Sequence, residues 1–225
     1  MAGNHATSYE GSTVEEVFFR MSDPGDNWPA PDYSVGQHDH VHALGVISLL
    51  VAQLERSIDD LHAFHWREQK APEELINLYY YSLNEEQRVA AIDKAFQTYE
   101  QDPAVKQAVK DLLAYFHWCR DTRNKLLHAE QYPASFGGNP AFLYLIKRMN
   151  KRSRTSGYMK LTLEYLRSIA DKVRAGIVQS ATISIYLRLR GQPLEKIDRS
   201  LRLYASEPLP QSLPVPPPLR LTDRP

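Results

Sequence analysis

HVHALGVISLLVAQLERSIDDLHAFHWR, residues 40–67, is the stretch that decides the fold. Leu44, Ile47, Val51, Leu54, Ile58 and Leu61 recur at alternating spacings of three and four. At 3.6 residues per turn that spacing gathers them on one side of a helix, the seam by which a helix packs in a bundle. The stretch predicts a long helix from about His40 to Arg67.

Working outward, Pro72 with Glu73 and Glu74 starts another helix, since proline and acids suit a first turn. Asn84-Glu85-Glu86 starts the next, reaching about Gln101, and Pro103 starts the one after. Gln131 to Pro140, with Gly137, Gly138 and two prolines, reads as a loop, and Ala141 to Met149 as a short helix. Ser153 to Gly157 is expected to be a flexible break. The final long helix runs from about Leu161 to Leu187 on Leu166, Ile169, Val173 and Ile177. Its end, Ala181 to Leu189, is β-branched enough for a strand, but no partner strand is evident and a helix is expected there. Upstream, Thr13-Val14-Glu15-Glu16 reads as a capping box opening a short helix to about Arg20. Residues 22–37, with three prolines, two glycines and three aspartates, read as a loop. Residues 206–225 hold seven prolines, Pro216, Pro217 and Pro218 in a row, and are expected to be a polyproline or disordered tail outside the core. The organisation expected is all-α: an acidic N-terminal helix and loop at 1–37, a helical-bundle domain at 38–205, and a proline-rich tail at 206–225.

The 225 residues, 43% hydrophobic and 24% charged, have ordinary globular composition and length enough for one good core. Cys119 is the only cysteine, which precludes an intrachain disulfide and fits a reducing compartment. Met1 to Gly11 lacks the charged and apolar regions of a signal peptide, and the longest apolar run, Ala43 to Ala52, is too short to span a bilayer. A cytoplasmic protein with no membrane partner is expected. Net charge is zero but unevenly spread. Residues 1–37 hold six acids against Arg20 alone, while residues 131–163 hold no acid and carry Lys147, Arg148, Lys151, Arg152, Arg154 and Lys160. To a polyanion that local patch matters more than the global sum.

The chemically informative stretch is Cys119-Arg120-Asp121-Thr122-Arg123-Asn124-Lys125-Leu126-Leu127-His128. The helix before it has an apolar face of Val105, Val109, Leu112, Phe116 and Cys119. Continued at helical pitch, that face brings Arg123 within about 20° of its centre. An arginine facing a core is costly unless it is paired or lines a cleft.

Arg123, Asn124 and His128 resemble the active-site motif of the HEPN family, helical bundles with an arginine, four to six residues, then a histidine. The resemblance covers roughly residues 40–190 as a succession of helices. It implies a metal-independent endoribonuclease with no cofactor, in which Arg123, Asn124 and His128 are catalytic. The ribose 2′-OH attacks the adjacent phosphorus, a histidine transfers protons, and the guanidinium fork holds phosphate oxygens. Asn124 would orient His128 or the phosphate. On an ideal helix Arg123 and His128 diverge by about 140°. The family's implied solution is a homodimer whose two motifs share one cleft. It also implies a setting in toxin–antitoxin pairs, stress response or phage defence, with an antitoxin or regulatory protein as a further partner. Some such toxins are silenced by modifying a tyrosine two positions after the histidine; Glu130 stands there in this chain.

Arg120, one turn before Arg123, and Lys125 are candidate phosphate contacts, together with Lys147, Arg148, Lys151, Arg152 and Arg154. Tyr132, Phe136, Phe142, Tyr144 and Tyr158 lie interspersed with that basic run, as rings that stack on unpaired bases. Competing readings pair Arg123 with Asp121 or Glu130 and leave His128 on the surface. The same cleft would also serve a non-catalytic nucleotide- or RNA-binding module, and the acidic N-terminus and proline tail would suit an interaction scaffold. His38, His40 and His42 lie some 30 Å along one helix from His62 and His65, too far to share a metal in one chain. Cap and surface roles are expected for them, and no metal site.

Overall fold

The computed structural model describes residues 38–131, 142–148, 156–190, 192–201, 209 and 211–221. The expected acidic segment 1–37, the body of the glycine-containing loop and most of the expected flexible break lie outside the described residues.

Helix α1 (His38–His62) realises the seam, with Ile47, Val51, Leu54, Ile58 and Leu61 buried. At its start His40 and Ala43 are buried, and Leu44 is only partly so. The helix stops at Ala63, and a five-residue helix α2 (Phe64–Glu68) follows, so the single helix expected to Arg67 is in fact two. The end of α2 closes as a Schellman turn. The Ala71 amide donates to the Trp66 carbonyl at 3.0 Å and the Lys70 amide to Arg67 at 2.9 Å, with Lys70 left-handed at φ 57°.

The other helices start where their capping residues stand. Helix α3 (Glu73–Ser82) follows Pro72 with two glutamates in its first turn. Helix α4 (Glu85–Tyr99) opens on a full capping box: the Asn84 side chain accepts from the Gln87 amide at 3.0 Å, and the Gln87 side chain accepts from the Asn84 amide at 2.9 Å. Helix α5 (Pro103–Leu127) is capped by Asp102, which accepts from the Ala104 amide at 2.8 Å. Helix α6 (Leu163–Leu189) is capped by Thr162 and stays helical through Ala181–Leu189, as expected.

Helices α1 and α6 make the most extensive contact in the bundle. Asp39, His42 and Val46 share a groove with Leu163, Arg167 and Ala170, so their N-termini lie together and the two helices run parallel. Both pack on α5. A Cβ on Gly176 would lie 3.1 Å from the Tyr115 ring and 3.2 Å from Leu54, so three helices meet there at near-contact. The Tyr115 hydroxyl fixes that ring by donating to the Lys172 carbonyl at 2.9 Å.

The expected short helix at Ala141–Met149 is instead a strand. Strand β2 (Phe142–Arg148) pairs antiparallel with β3 (Ser156–Thr162), and β1 (Glu130–Gln131) joins the other edge of β2 to give the order β1-β2-β3. Leu143 and Leu145 on β2 and Met159 and Leu161 on β3 are buried, while Phe142, Tyr144 and Ile146 alternate with them on the outer face. The chain is thus mostly helical with one small sheet.

Two charged layers cross the bundle. In one, Arg88 lies 3.8 Å from Glu55 and 3.9 Å from Asp59, and donates to the Tyr80 hydroxyl at 3.1 Å. In the other, Arg190 reaches Glu100 at 2.7 Å and Glu68 at 3.5 Å, and the His65 ring lies 2.9 Å from Glu68. Burial works against ionisation of Glu100, but the amides of Asp102 and Gln101 and the Arg190 guanidinium outweigh it and hold the carboxyl below its usual range. The surface roles expected for the histidines fail for three of them. His40, His62 and His65 are buried, and His62 packs against the rings of Tyr79 and Tyr80. Among the described residues no cluster of three or more His, Cys, Asp or Glu is arranged to hold a metal ion.

The proline-rich tail departs from expectation in its described part. Leu219 is buried, and Leu209, Leu213 and Leu221 pack on the core. By length and composition the span His38–Glu68 is apolar enough to cross a membrane, although the apolar run within it is short. Its seam residues belong to the core cluster shared with α5 and α6.

Candidate functional site

The motif occupies the C-terminal end of α5, where helix gives way to sheet. The buried positions Phe116, Cys119, Thr122 and Leu126 anchor this end in the bundle. Burial pushes the Cys119 thiol up to about 12, which makes it a small apolar group and not a nucleophile. Trp118 is buried and His117 half-buried.

Arg120 and Arg123 lie one turn apart and meet different surroundings. Arg120 is 14% exposed and lies 3.2 Å from Glu85 and 3.8 Å from Glu86, at the first turn of α4. Its charge is balanced there by two carboxylates, with which a phosphate would have to compete. Arg123 is half-buried and makes no ion pair among the described residues, with neither Asp121 nor Glu130 meeting it. Its Nε, like those of Arg88 and Arg120, is shut off from solvent without a hydrogen-bond partner, but Arg123 alone of the three has no carboxylate beside it among the described residues. A buried donor left in that state is costly, and such a group suits an anionic ligand.

His128 is the C-cap residue of α5, at φ −95° and ψ 11°, with its side chain exposed. With Ala129 it forms the connection to β1. Its link to Asn124 is through the backbone: the His128 amide donates to the Asn124 carbonyl at 3.2 Å. Among the described residues the Asn124 side chain makes no hydrogen bond to the His128 ring, so the orienting role expected of Asn124 is not formed in the single chain.

The sheet brings a lysine to the same place. Lys147, on the inward-facing edge of β2, donates to the Asn124 carbonyl at 3.3 Å. Lys125 donates to the Leu219 carbonyl at 3.4 Å. Partial burial first, then the charge of Lys125, draws the Lys147 amine below its usual range, against the pull of Asp121. Two ammonium groups close enough to repel, with a guanidinium that has no ion pair among the described residues on the same helix end, make this end of α5 a cationic corner. On the outer face of the hairpin the Lys160 ammonium lies 3.9 Å from the centre of the Phe142 ring and 5.8 Å from that of Tyr144. Lys151, Arg152 and Arg154 lie outside the described residues, and of Arg148 only the backbone is described, opposite Ser156.

Arg123, Asn124, Lys125, His128 and Lys147 are therefore brought to one end of the bundle, while Arg120 is paired with Glu85 and Glu86. The involvement of Trp118 and of the tail at this end was not anticipated; the signal for it was a three-residue spacing of Leu213, Pro216 and Leu219 within the prolines. No known protein family, curated protein or solved structure matches this chain.

Proposed function

We propose that the protein is a metal-independent endoribonuclease of the HEPN type, with Arg123 and His128 as its active groups. What carries the reading is the state of Arg123: a half-buried guanidinium that makes no ion pair among the described residues, on the helix that ends at an exposed histidine, at the same end of the bundle as Lys125 and Lys147. The RNA backbone lies along this cationic corner, and the hairpin's outer rings stack on unpaired bases. The ribose 2′-OH loses its proton to a histidine and attacks phosphorus. The P–O5′ bond breaks, and the leaving oxygen takes a proton from a second histidine. The products are a 2′,3′-cyclic phosphate and a free 5′-OH. Arg123 neutralises charge on the phosphorane. A homodimer supplies the second histidine, and its shared cleft brings together two motifs that diverge within one chain. A toxin or defence nuclease held in check by a partner protein is the setting this chemistry suits.

The divergence of Arg123 and His128, and the absence of a side-chain link between Asn124 and His128 among the described residues, favour a second reading: a module that binds RNA without cutting it. One experiment separates the two. Purified protein is incubated with total RNA in EDTA and the new ends are mapped. Cleavage is expected, with cyclic phosphate ends, and should fall by on the order of 10²–10³ in His128→Ala and in Arg123→Ala, both folded by circular dichroism. Cleavage at the wild-type rate in either variant rules the motif out as the active site. RNA binding with no cleavage by the wild-type chain leaves the binding module.

A further inference from the structure

Residues 211–221, QSLPVPPPLRL, lie along α5 in a regular way. Leu213, Pro216 and Leu219 are turned toward the bundle, and the two residues between each pair are exposed. A burial period of three is the period of polyproline II, which has three residues per turn and no internal hydrogen bonds. Its carbonyls are free to accept, and α5 supplies donors. The Trp118 indole N–H donates to the Pro217 carbonyl at 3.1 Å, and Lys125 donates to the Leu219 carbonyl at 3.4 Å. Further up the helix the Ser212 hydroxyl donates to the Asp111 carboxylate. Asp111, Trp118 and Lys125 are seven residues apart, so they form one stripe two turns per step down a single helix face. Beside the tail a groove of about 390 Å³ stays open between Tyr158, Lys160 and Tyr165 on one wall and Pro217, Pro218 and Arg220 on the other.

A buried indole donating to a proline-flanked carbonyl, with aromatic rings alongside, is the means by which proteins read preformed polyproline helices. We infer that the stripe Asp111–Trp118–Lys125 is a receptor for a polyproline-II peptide with an apolar residue at every third position, and that the chain's own segment 211–221 is its resident ligand, docked reversibly in cis. Undocking exposes Trp118 and releases the Lys125 ammonium. The inference does not rest on the nuclease reading: it uses neither Arg123 nor His128, and the one residue common to both is Lys125, whose ammonium is held by the Leu219 carbonyl while the tail is docked.

The test uses the full chain throughout. Trypsin cuts after Arg220 only when the segment around it leaves the surface. Trp118→Phe keeps an aromatic ring but removes the N–H and part of the buried indole, so the rate of that cut, followed by mass spectrometry, should rise by about tenfold or more, the effect of one hydrogen bond and some packing. A fluorescent peptide of sequence 211–221 is then titrated by anisotropy. The wild-type chain should not take it up at micromolar concentration, because the tethered tail competes at an effective concentration on the order of millimolar. The double variant Leu213→Asp, Leu219→Asp, whose tail has lost its anchors, should bind the peptide saturably. Adding Trp118→Phe to that variant should weaken binding about tenfold. An unchanged cutting rate in Trp118→Phe overturns the inference. So does peptide binding that is equal in the wild-type chain and the double variant, or absent from a double variant that circular dichroism shows to be folded.

Discussion

Replacing Asp59 by asparagine should make the protein more stable at neutral pH and remove part of its pH dependence. Asp59 projects from α1 toward a void of about 10 Å³ lined by Glu55, Glu85, Arg88 and Phe116. Burial pushes its carboxyl up from 3.8 to about 6, against the attraction of Arg88 and with help from Glu55, Asp60 and Glu85. A carboxyl raised in this way binds its proton more tightly in the folded chain than in the unfolded one. Its stabilising contribution is therefore complete below pH about 4 and is lost as pH rises through about 6. Taken whole, the shift corresponds to roughly 3 kcal/mol. The side chain is 31% exposed, and solvent screening reduces the figure to about 1–2 kcal/mol. Asparagine has nearly the same shape and no charge to desolvate. Arg88 keeps Glu55 and the Tyr80 hydroxyl as partners, so it is not stranded. Urea unfolding followed by circular dichroism at pH 5, 6 and 7 reads the difference. Asp59→Asn should exceed the wild type by about 1 kcal/mol at pH 7, with the gap narrowing steadily toward pH 5. The depressed carboxyl of Glu100 acts with the opposite sign and at lower pH, and it cancels in the difference between the two chains. A gap that stays constant over this range, or a variant less stable at pH 7, would show that Asp59 is not held protonated by its surroundings.

Two further outcomes follow from the site. Replacing Lys125 and Lys147 together by glutamine should weaken single-stranded RNA binding and flatten the log–log salt slope by about 1.4, at roughly 0.7 per phosphate contact, measured by fluorescence titration from 50 to 200 mM salt; an unchanged slope would mean that neither ammonium touches phosphate. Mixing wild type with excess His128→Ala chains should lower cleavage per wild-type chain if two chains share one cleft, and an active monomer in sedimentation would exclude that arrangement.

The helices were legible because their signals are local. The seam of α1, the capping box at Asn84 and the Asp102-Pro103 start of α5 each lie within a few residues of what they determine. The hairpin was not legible, because FLYLIKR is apolar or aromatic on both faces. With Phe142, Tyr144 and Ile146 outside and Leu143 and Leu145 inside, the alternation that marks a half-buried strand is erased, and the partner strand begins in what reads as a flexible break. The contrast between Arg120 and Arg123 was equally hidden. One turn separates them, but the carboxylates that neutralise Arg120 come from Glu85 and Glu86, some 35 residues earlier, and only the packing of α4 on α5 decides which arginine they meet. The docking of the tail was not legible because prolines bar both helix and ladder, and the three-residue period by which such a chain can still bury side chains is seldom looked for.

The pairing of α1 with α6 has a consequence for how the chain is made. The principal partner of α1 begins about 125 residues later. At 5–20 residues per second, a ribosome takes roughly 5 to 20 s to synthesise the stretch from Leu61 to Leu163, and throughout it the apolar seam from Ile47 to Leu61 has no α6 to close on. Closing so large a loop is also slow relative to forming the local helices. Nascent chains of this protein should therefore pass through a period in which α1 is formed but uncovered, the state that holdase chaperones recognise, and slowing translation within residues 142–162 would lengthen it.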